Sequence, residues 1–179
     1  MNNKTFIISG TQGSGKTTFL KSIVDELSAS GLRVGGFLAL GYWKDNLRDR
    51  FDLIDLKSGD RLVYCQRNQV PGWEQVRHFY INPEAIVFGE EVLNPSILSD
   101  VDLIVIDEIG PFELAGKGWA RSFDQILRKT KLSIIISVRE SLLNQVIKHW
   151  KLDVGTNFQI PGCHPKKAAI EVFNALKPF

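Results

Sequence analysis

Residues Gly10 to Thr17 read GTQGSGKT, which matches G-x-x-x-x-G-K-[ST] without a misfit. Such a loop works only where the chain leaves a β-strand and enters a helix, so it constrains the surrounding fold as well as itself. Both neighbours are present. Thr5 to Ser9 is a short β-rich run, and Thr17 to Ser30 places Phe19, Leu20, Ile23, Val24 and Leu27 at helical spacing, with Gly31 as a stop. The glycines let the backbone wrap with its N–H groups turned inward. The helix N-terminus adds partial positive charge, so the loop suits a polyphosphate. In that arrangement Lys16 reaches the β- and γ-phosphates and the Thr17 hydroxyl is a Mg²⁺ ligand. The competing reading is a glycine-rich turn with a solvated lysine.

A second segment supplies what the loop lacks. Leu103 to Leu114, LIVIDEIGPFEL, is an apolar strand pattern that delivers two adjacent carboxylates, Asp107 and Glu108. Asp107 suits the Mg²⁺, directly or through its water. Glu108, at the C-terminal end of the strand where parallel sheets bind ligands, is a candidate general base for the water attacking the γ-phosphorus. The competing reading pairs Glu108 with a nearby lysine or leaves it to solvate the edge. Adjacent acids are common, so the pair gains its meaning from Lys16 and Thr17.

Along the rest of the chain, strand patterns at Arg33 to Leu40, Asp102 to Ile106, Leu132 to Val138 and Val154 to Ile160 are joined to helical patterns. The helices fall at Asn82 to Leu93, Ala120 to Lys129, Glu140 to Trp150 and Pro165 to Leu176. This alternation predicts an α/β fold with a mostly parallel sheet between helical layers, and the continuous runs LIVI and LSIIISV suit strands covered on both faces. Between about Gly41 and Tyr80 the pattern changes. FDLIDLKSGDRLVY reads as two short strands around Lys57-Ser58-Gly59-Asp60, an inserted hairpin and not a second domain. The 179 residues then form a single domain, 1–179.

Composition removes several classes. The 22 basic and 20 acidic residues leave a formal charge of +2 without long runs of one sign, giving no electrostatic reason to expect nucleic acid or an anionic membrane as partner. The first apolar run is too short for a signal peptide or membrane span. Cys65 and Cys163 fit neither a disulfide framework nor a zinc site and read as reduced thiols of a cytoplasmic protein. His78, His149 and His164 lack ligand spacing and are assigned no metal.

The combination of GTQGSGKTT, GGFLALG, RFDLIDLKSGDRLV and DEIGPFEL resembles the nucleoside-triphosphatase family that has thermostable bacterial and archaeal members and a human cancer-related one. The resemblance covers roughly the first four-fifths of the chain and implies a P-loop NTPase fold of the RecA-like class, with an extra strand between the phosphate-loop strand and the Asp strand. It also implies slow Mg²⁺-dependent hydrolysis of several nucleoside triphosphates. Under it, Gly10, Thr11, Gln12, Gly13, Ser14, Gly15, Lys16, Thr17 and Thr18 bind phosphates, Asp107 supports the metal and Glu108 positions water. Three departures stand out: Phe112 replaces the family's usual methionine, Asn157-Phe158 replaces its Asn-Arg, and Gly41 to Arg50 is less acidic than expected.

In a sheet of that order, Leu132 to Val138 lies beside the phosphate-loop strand, bringing Ser137 and Arg139 near the γ-phosphate, where Arg139 is a candidate catalytic residue. A solvated place at a helix start is its alternative. Tyr42, Trp43 and Trp73 either stack on a base or cover the site, or else pack. The expected function is hydrolysis of a nucleoside triphosphate to the diphosphate and phosphate. A kinase with its acceptor under the 41–80 insertion, with Glu108 acting on the acceptor hydroxyl, is one alternative, and a nucleotide-dependent switch or assembly factor another.

Overall fold

The apolar runs FIIS, LIVI and SIIIS form the three middle strands of the parallel part of a nine-stranded sheet, in a computed structural model that describes residues 4–177. They are β1 (Lys4–Gly10), β7 (Leu103–Ile109) and β8 (Ser133–Arg139). Around them lie β2 (Val34–Lys44), β3 (Leu47–Asp55), β4 (Arg61–Gln66), β5 (Glu74–Val76), β6 (Phe79–Ile81) and β9 (Asp153–Ile160). The order is β5-β6-β4-β3-β2-β7-β8-β1-β9. β8 therefore stands between the phosphate-loop strand β1 and the acid-bearing strand β7, which is the extra strand that the resemblance implies.

The helices are α1 (Lys16–Ala29), α2 (Pro83–Val92), the short α3 (Pro111–Leu114), α4 (Ala120–Lys129), α5 (Leu143–Trp150) and α6 (Pro165–Leu176). Strand side chains alternate between two cores. Phe6, Ile8, Leu103, Val105 and Ile135 pack against α1 and α6, while Ile7, Ile104, Ile106, Ile134 and Ile136 pack against α2, α4 and α5. Each of these isoleucines is fully buried, which contributes about 1.5–3 kcal/mol apiece. Covered on both faces, the central strands need apolar residues at every position, which is why their sequences do not alternate.

The insertion is larger than a hairpin attached to the sheet. β2 continues past Leu40 to Lys44 and returns as β3 through a tight turn at Asp45 and Asn46, both with positive φ (49° and 60°). The expected β3–β4 hairpin follows around Lys57 to Asp60, and β6 and β5 complete an antiparallel half of the same sheet. Sequence patterning stops β2 early because Gly41 ends its apolar run. Two other boundaries differ: β7 runs on to Ile109, placing both acids inside the strand, and Glu140 to Trp150 divides into a 3-10 turn (Glu140–Leu142) and α5.

Gly36 lets β2 and β7 pair. Its φ is +99°, and a Cβ there would stand 2.0 Å from the Val105 carbonyl oxygen. No helix among the described residues is long and apolar enough to cross a membrane.

Candidate active site

β1 ends at Gly10 and α1 begins at Lys16, so the phosphate loop spans the gap between a central strand and a helix N-terminus. Gly13 (φ 78°) and Gly15 (φ 89°) take left-handed conformations that a side chain would strain. Lys16, 8% exposed, folds back so that its ammonium donates to the carbonyls of Thr11 (2.9 Å) and Gly10 (3.3 Å). Thr17 lines the adjacent cavity with its hydroxyl near Asp107, whereas Thr18 faces solvent in the first turn of α1.

The parallel register of β1, β8 and β7 brings the distant sequence signals together. Asp107 is buried, and its carboxylate accepts from the Ser137 hydroxyl on β8 and, at 3.2 Å, from the Ala39 N–H on β2. Burial pushes its pKa up, those hydrogen bonds oppose the shift, and the Glu108 charge adds to it. Glu108 is partly exposed and accepts from Arg139 Nε at 2.7 Å. The Asp107–Glu108 peptide bond is cis. Burial lowers the pKa of Lys16, Arg139 adds to that shift, and Glu108 and Asp107 counter it. All four groups thus share one electrostatic neighbourhood.

Of the two secondary candidates, Ser137 anchors Asp107 and Arg139 pairs with Glu108. The partner of Glu108 is thus an arginine from β8, where the competing sequence reading has a lysine. Because the pair is still part-exposed, it stays within reach of a ligand.

Glu113 has no role in the sequence reading beyond its place in the DEIGPFEL motif. It is 4% exposed and reaches back to accept from the Gly110 N–H at 3.0 Å, holding the turn from β7 into α3. Burial raises its pKa to about 7, with backbone hydrogen bonds opposing. The Glu-at-N3 spacing after Gly110 carries a capping signal, but its burial has no local signature.

A cavity of about 410 Å³ opens beside these groups. Gln12, Thr17, Asp107, Glu108 and Arg139 line one end, and β3, β4 and the β5–β6 turn line the other. Its aromatic lining is Phe51, Tyr64, Phe79, Phe112 and Trp119. Tyr42, Trp43 and Trp73 are not part of this lining: the Arg50 guanidinium lies over Tyr42 and that of Arg48 over the exposed Trp43, while Trp73 is half-buried. His78 lines the cavity at the β5–β6 turn, His149 packs edgewise on Trp150, and His164 caps α6. Cys65 is buried with its thiol pKa pushed up to about 12, and both cysteines are free.

Comparison with known proteins gives concordant results. The family model described as NTPase matches residues 5–159. The Nucleoside-triphosphatase THEP1 of Archaeoglobus fulgidus is 30% identical over 149 residues, covering 82% of this chain and 86% of the relative. That of Caldivirga maquilingensis is 28% identical over 170 residues, 95% and 93% of the two chains. Among solved structures, a human cancer-related nucleoside triphosphatase superposes with TM-score 0.71 at 22% identity over 97% of both chains. THEP1 of Aquifex aeolicus superposes with TM-score 0.67 at 22% identity over 97% of this chain and 99% of the other. These last two speak for the fold.

Proposed function

The chain belongs to the NTPase family, whose matched relatives are named nucleoside-triphosphatases, and on that premise we propose that it splits nucleoside triphosphates into the diphosphate and phosphate at the junction of β1, β7 and β8. The observation that carries this reading is the convergence of Lys16 at the start of α1, Asp107 and Glu108 on β7 and Arg139 on β8 into one electrostatic neighbourhood, the last three lining one cavity. The nine strands of the described residues share one sheet, which supports reading the chain as one domain.

The phosphate loop, Gly10 to Thr18, holds the triphosphate by backbone N–H groups and the α1 N-terminus. Such contacts read phosphate and not base, which favours acceptance of several nucleotides. Lys16 gives up its contacts to Gly10 and Thr11 carbonyls and turns to the β- and γ-phosphates, where its charge counters the one developing in the transition state. Thr17 and Asp107 offer two hard oxygen donors, the carboxylate buried and held by hydrogen bonds, a set that suits Mg²⁺ sharing phosphate oxygens and water. When bound, that ion offsets negative charge on the phosphate oxygens.

Glu108 orients the attacking water and accepts its proton. Arg139 holds the Glu108 carboxylate at one oxygen, leaving the other for water, and adds positive charge beside the γ-phosphate. The reduced state of Cys65 and Cys163 favours a cytoplasmic location.

Phosphate release from ATP, GTP, CTP and UTP, compared between parent and Lys16→Ala, tests the assignment. The variant loses about a hundredfold or more in turnover, the scale of one transition-state donor. Unchanged turnover would remove the phosphate site from this loop.

A further inference from the structure

The cavity beyond the acid pair is much larger than an attacking water requires. A water molecule occupies about 30 Å³, whereas the cavity measures about 410 Å³. Even with the γ-phosphate filling the end beside Gln12 and Thr17, space continues across the antiparallel strands to Phe51, Tyr64 and Phe79. Its size and its largely apolar lining with a few placed polar groups match sites that hold small organic molecules, which run from about 300 Å³ upward.

The lining is built and not incidental. Trp119 packs between Phe37 (4.6 Å between ring centroids) and Tyr64 (5.1 Å), and Phe51 meets Phe79 edge-on at 5.5 Å. These contacts hold flat apolar surfaces in place before anything binds, so a planar body can stack without first ordering the wall. Polar groups lie at opposite ends. Glu108 and Arg139 come from β7 and β8 beside the phosphate-loop strand, while Arg77 and His78 form the exposed turn between β5 and β6, which the strand order sets across β2, β3 and β4 from them. The charge at that turn suits an anion, and the carboxylate at the inner end suits a hydroxyl.

We propose that this cavity is the site of a second substrate, a small aromatic alcohol bearing an anionic group, and that the enzyme transfers the γ-phosphoryl group to its hydroxyl. This rests on the placement of the triphosphate described above. The alcohol oxygen forms a bond to the γ-phosphorus as the bond from that phosphorus to the β,γ-bridging oxygen breaks. The nucleoside diphosphate leaves with the electron pair, and the alcohol proton passes to the Glu108 carboxylate and then to solvent. The ring packs against Tyr64 and Phe79, and the anion faces Arg77. Hydrolysis is the same reaction with water in the alcohol's place.

The test follows ATP turnover with Mg²⁺ by phosphorus NMR, which separates phosphomonoester from inorganic phosphate. The probes are 4-(hydroxymethyl)benzoate, benzyl alcohol, which lacks the anion, and glycerate, which lacks the ring. The carboxylate probe forms a phosphomonoester and speeds ADP release by about tenfold or more. Benzyl alcohol accepts with a KM raised about tenfold, the loss expected for one charge-assisted contact, and glycerate does not accept. Arg77→Ala raises KM for the carboxylate probe about tenfold and leaves that for benzyl alcohol in place, a contrast that mere loss of structure would not produce. Inorganic phosphate as sole product with every probe overturns the second-substrate site while the hydrolase reading stands. A phosphomonoester from glycerate alone overturns it as well. Failure to release phosphate even without a probe takes both readings down together.

Discussion

Asp107 and Glu108 are neighbours in sequence with opposite surroundings, and their variants separate on that account. Asp107 is buried and held by Ser137 and Ala39, so Asp107→Asn weakens binding of Mg²⁺-nucleotide: the amide keeps an oxygen but loses the charge. Glu108 stands at the cavity, partly exposed. Glu108→Gln retains nucleotide affinity within a few-fold and loses about 10²- to 10⁴-fold in hydrolysis, measured by nucleotide titration and steady-state phosphate release. Parental turnover in that variant would exclude Glu108 as the base. Arg139→Ala lowers kcat more than affinity, because it frees Glu108 from its 2.7 Å partner and removes charge beside the γ-phosphate. Glu113 gives a pH signature. Burial raises its pKa from 4.5 to about 7, so its favourable contribution is full below pH 4.5 and declines as pH rises through 7. Relative to the parent, Glu113→Gln therefore gains up to about 3 kcal/mol between pH 4.5 and 8. Urea unfolding at both pH values measures it, and a pH-independent difference between the two proteins would contradict the assignment.

Among the elements, β2 carries more of the site than its position suggests. It lies against β7 through Gly36 and donates the Ala39 N–H to Asp107, so the spacing of these two strands sets the position of the buried acid. Gly36→Ala places a methyl against the Val105 carbonyl in a backbone conformation that alanine resists. It costs about 3 kcal/mol or more and weakens nucleotide binding in whatever fraction stays folded. A fluorescence unfolding curve and a nucleotide titration on one preparation check both parts. Wild-type stability would show that β2 and β7 can separate without penalty. The antiparallel half of the sheet follows from the same strand: once β2 turns at Asp45 and Asn46, β3 and β4 carry Phe51 and Tyr64 to the cavity facing the acid pair.

At the scale of the molecule, the parallel centre and the two cores form a rigid frame, and the ligand groups converge where the strands end. Binding of a non-hydrolysable triphosphate with Mg²⁺ should stabilise the folded state by mass action, about 2.7 kcal/mol at a hundred times Kd. For a chain of 179 residues this raises Tm by several degrees. Removing Mg²⁺ with a chelator takes away most of the rise, and Lys16→Ala removes it even with Mg²⁺ present. Thermal scans across those conditions separate loss of binding from loss of chemistry. An equal rise with and without Mg²⁺ would detach the cation from Thr17 and Asp107.

The phosphate loop, the strands on either side of its roles and most helices were legible from local chemistry. Glycines at Gly13 and Gly15 mark a backbone only they take easily, continuous β-branched runs mark doubly covered strands, and Asn82-Pro83 and Pro165 mark helix starts. The resemblance carried by DEIGPFEL added the extra strand, which β8 occupies. Only the tertiary structure decided that Glu108 pairs with Arg139, that Ser137 and Ala39 hold Asp107, and that Glu113 is buried. It also decided that Phe51, Tyr64, Phe79 and Trp119 line one cavity, while Tyr42, Trp43 and Trp73 lie elsewhere. Local sequence encodes the conformations a residue prefers and the face it buries. Which distant side chains then meet depends on strand order and register, and these are set by the whole sheet at once.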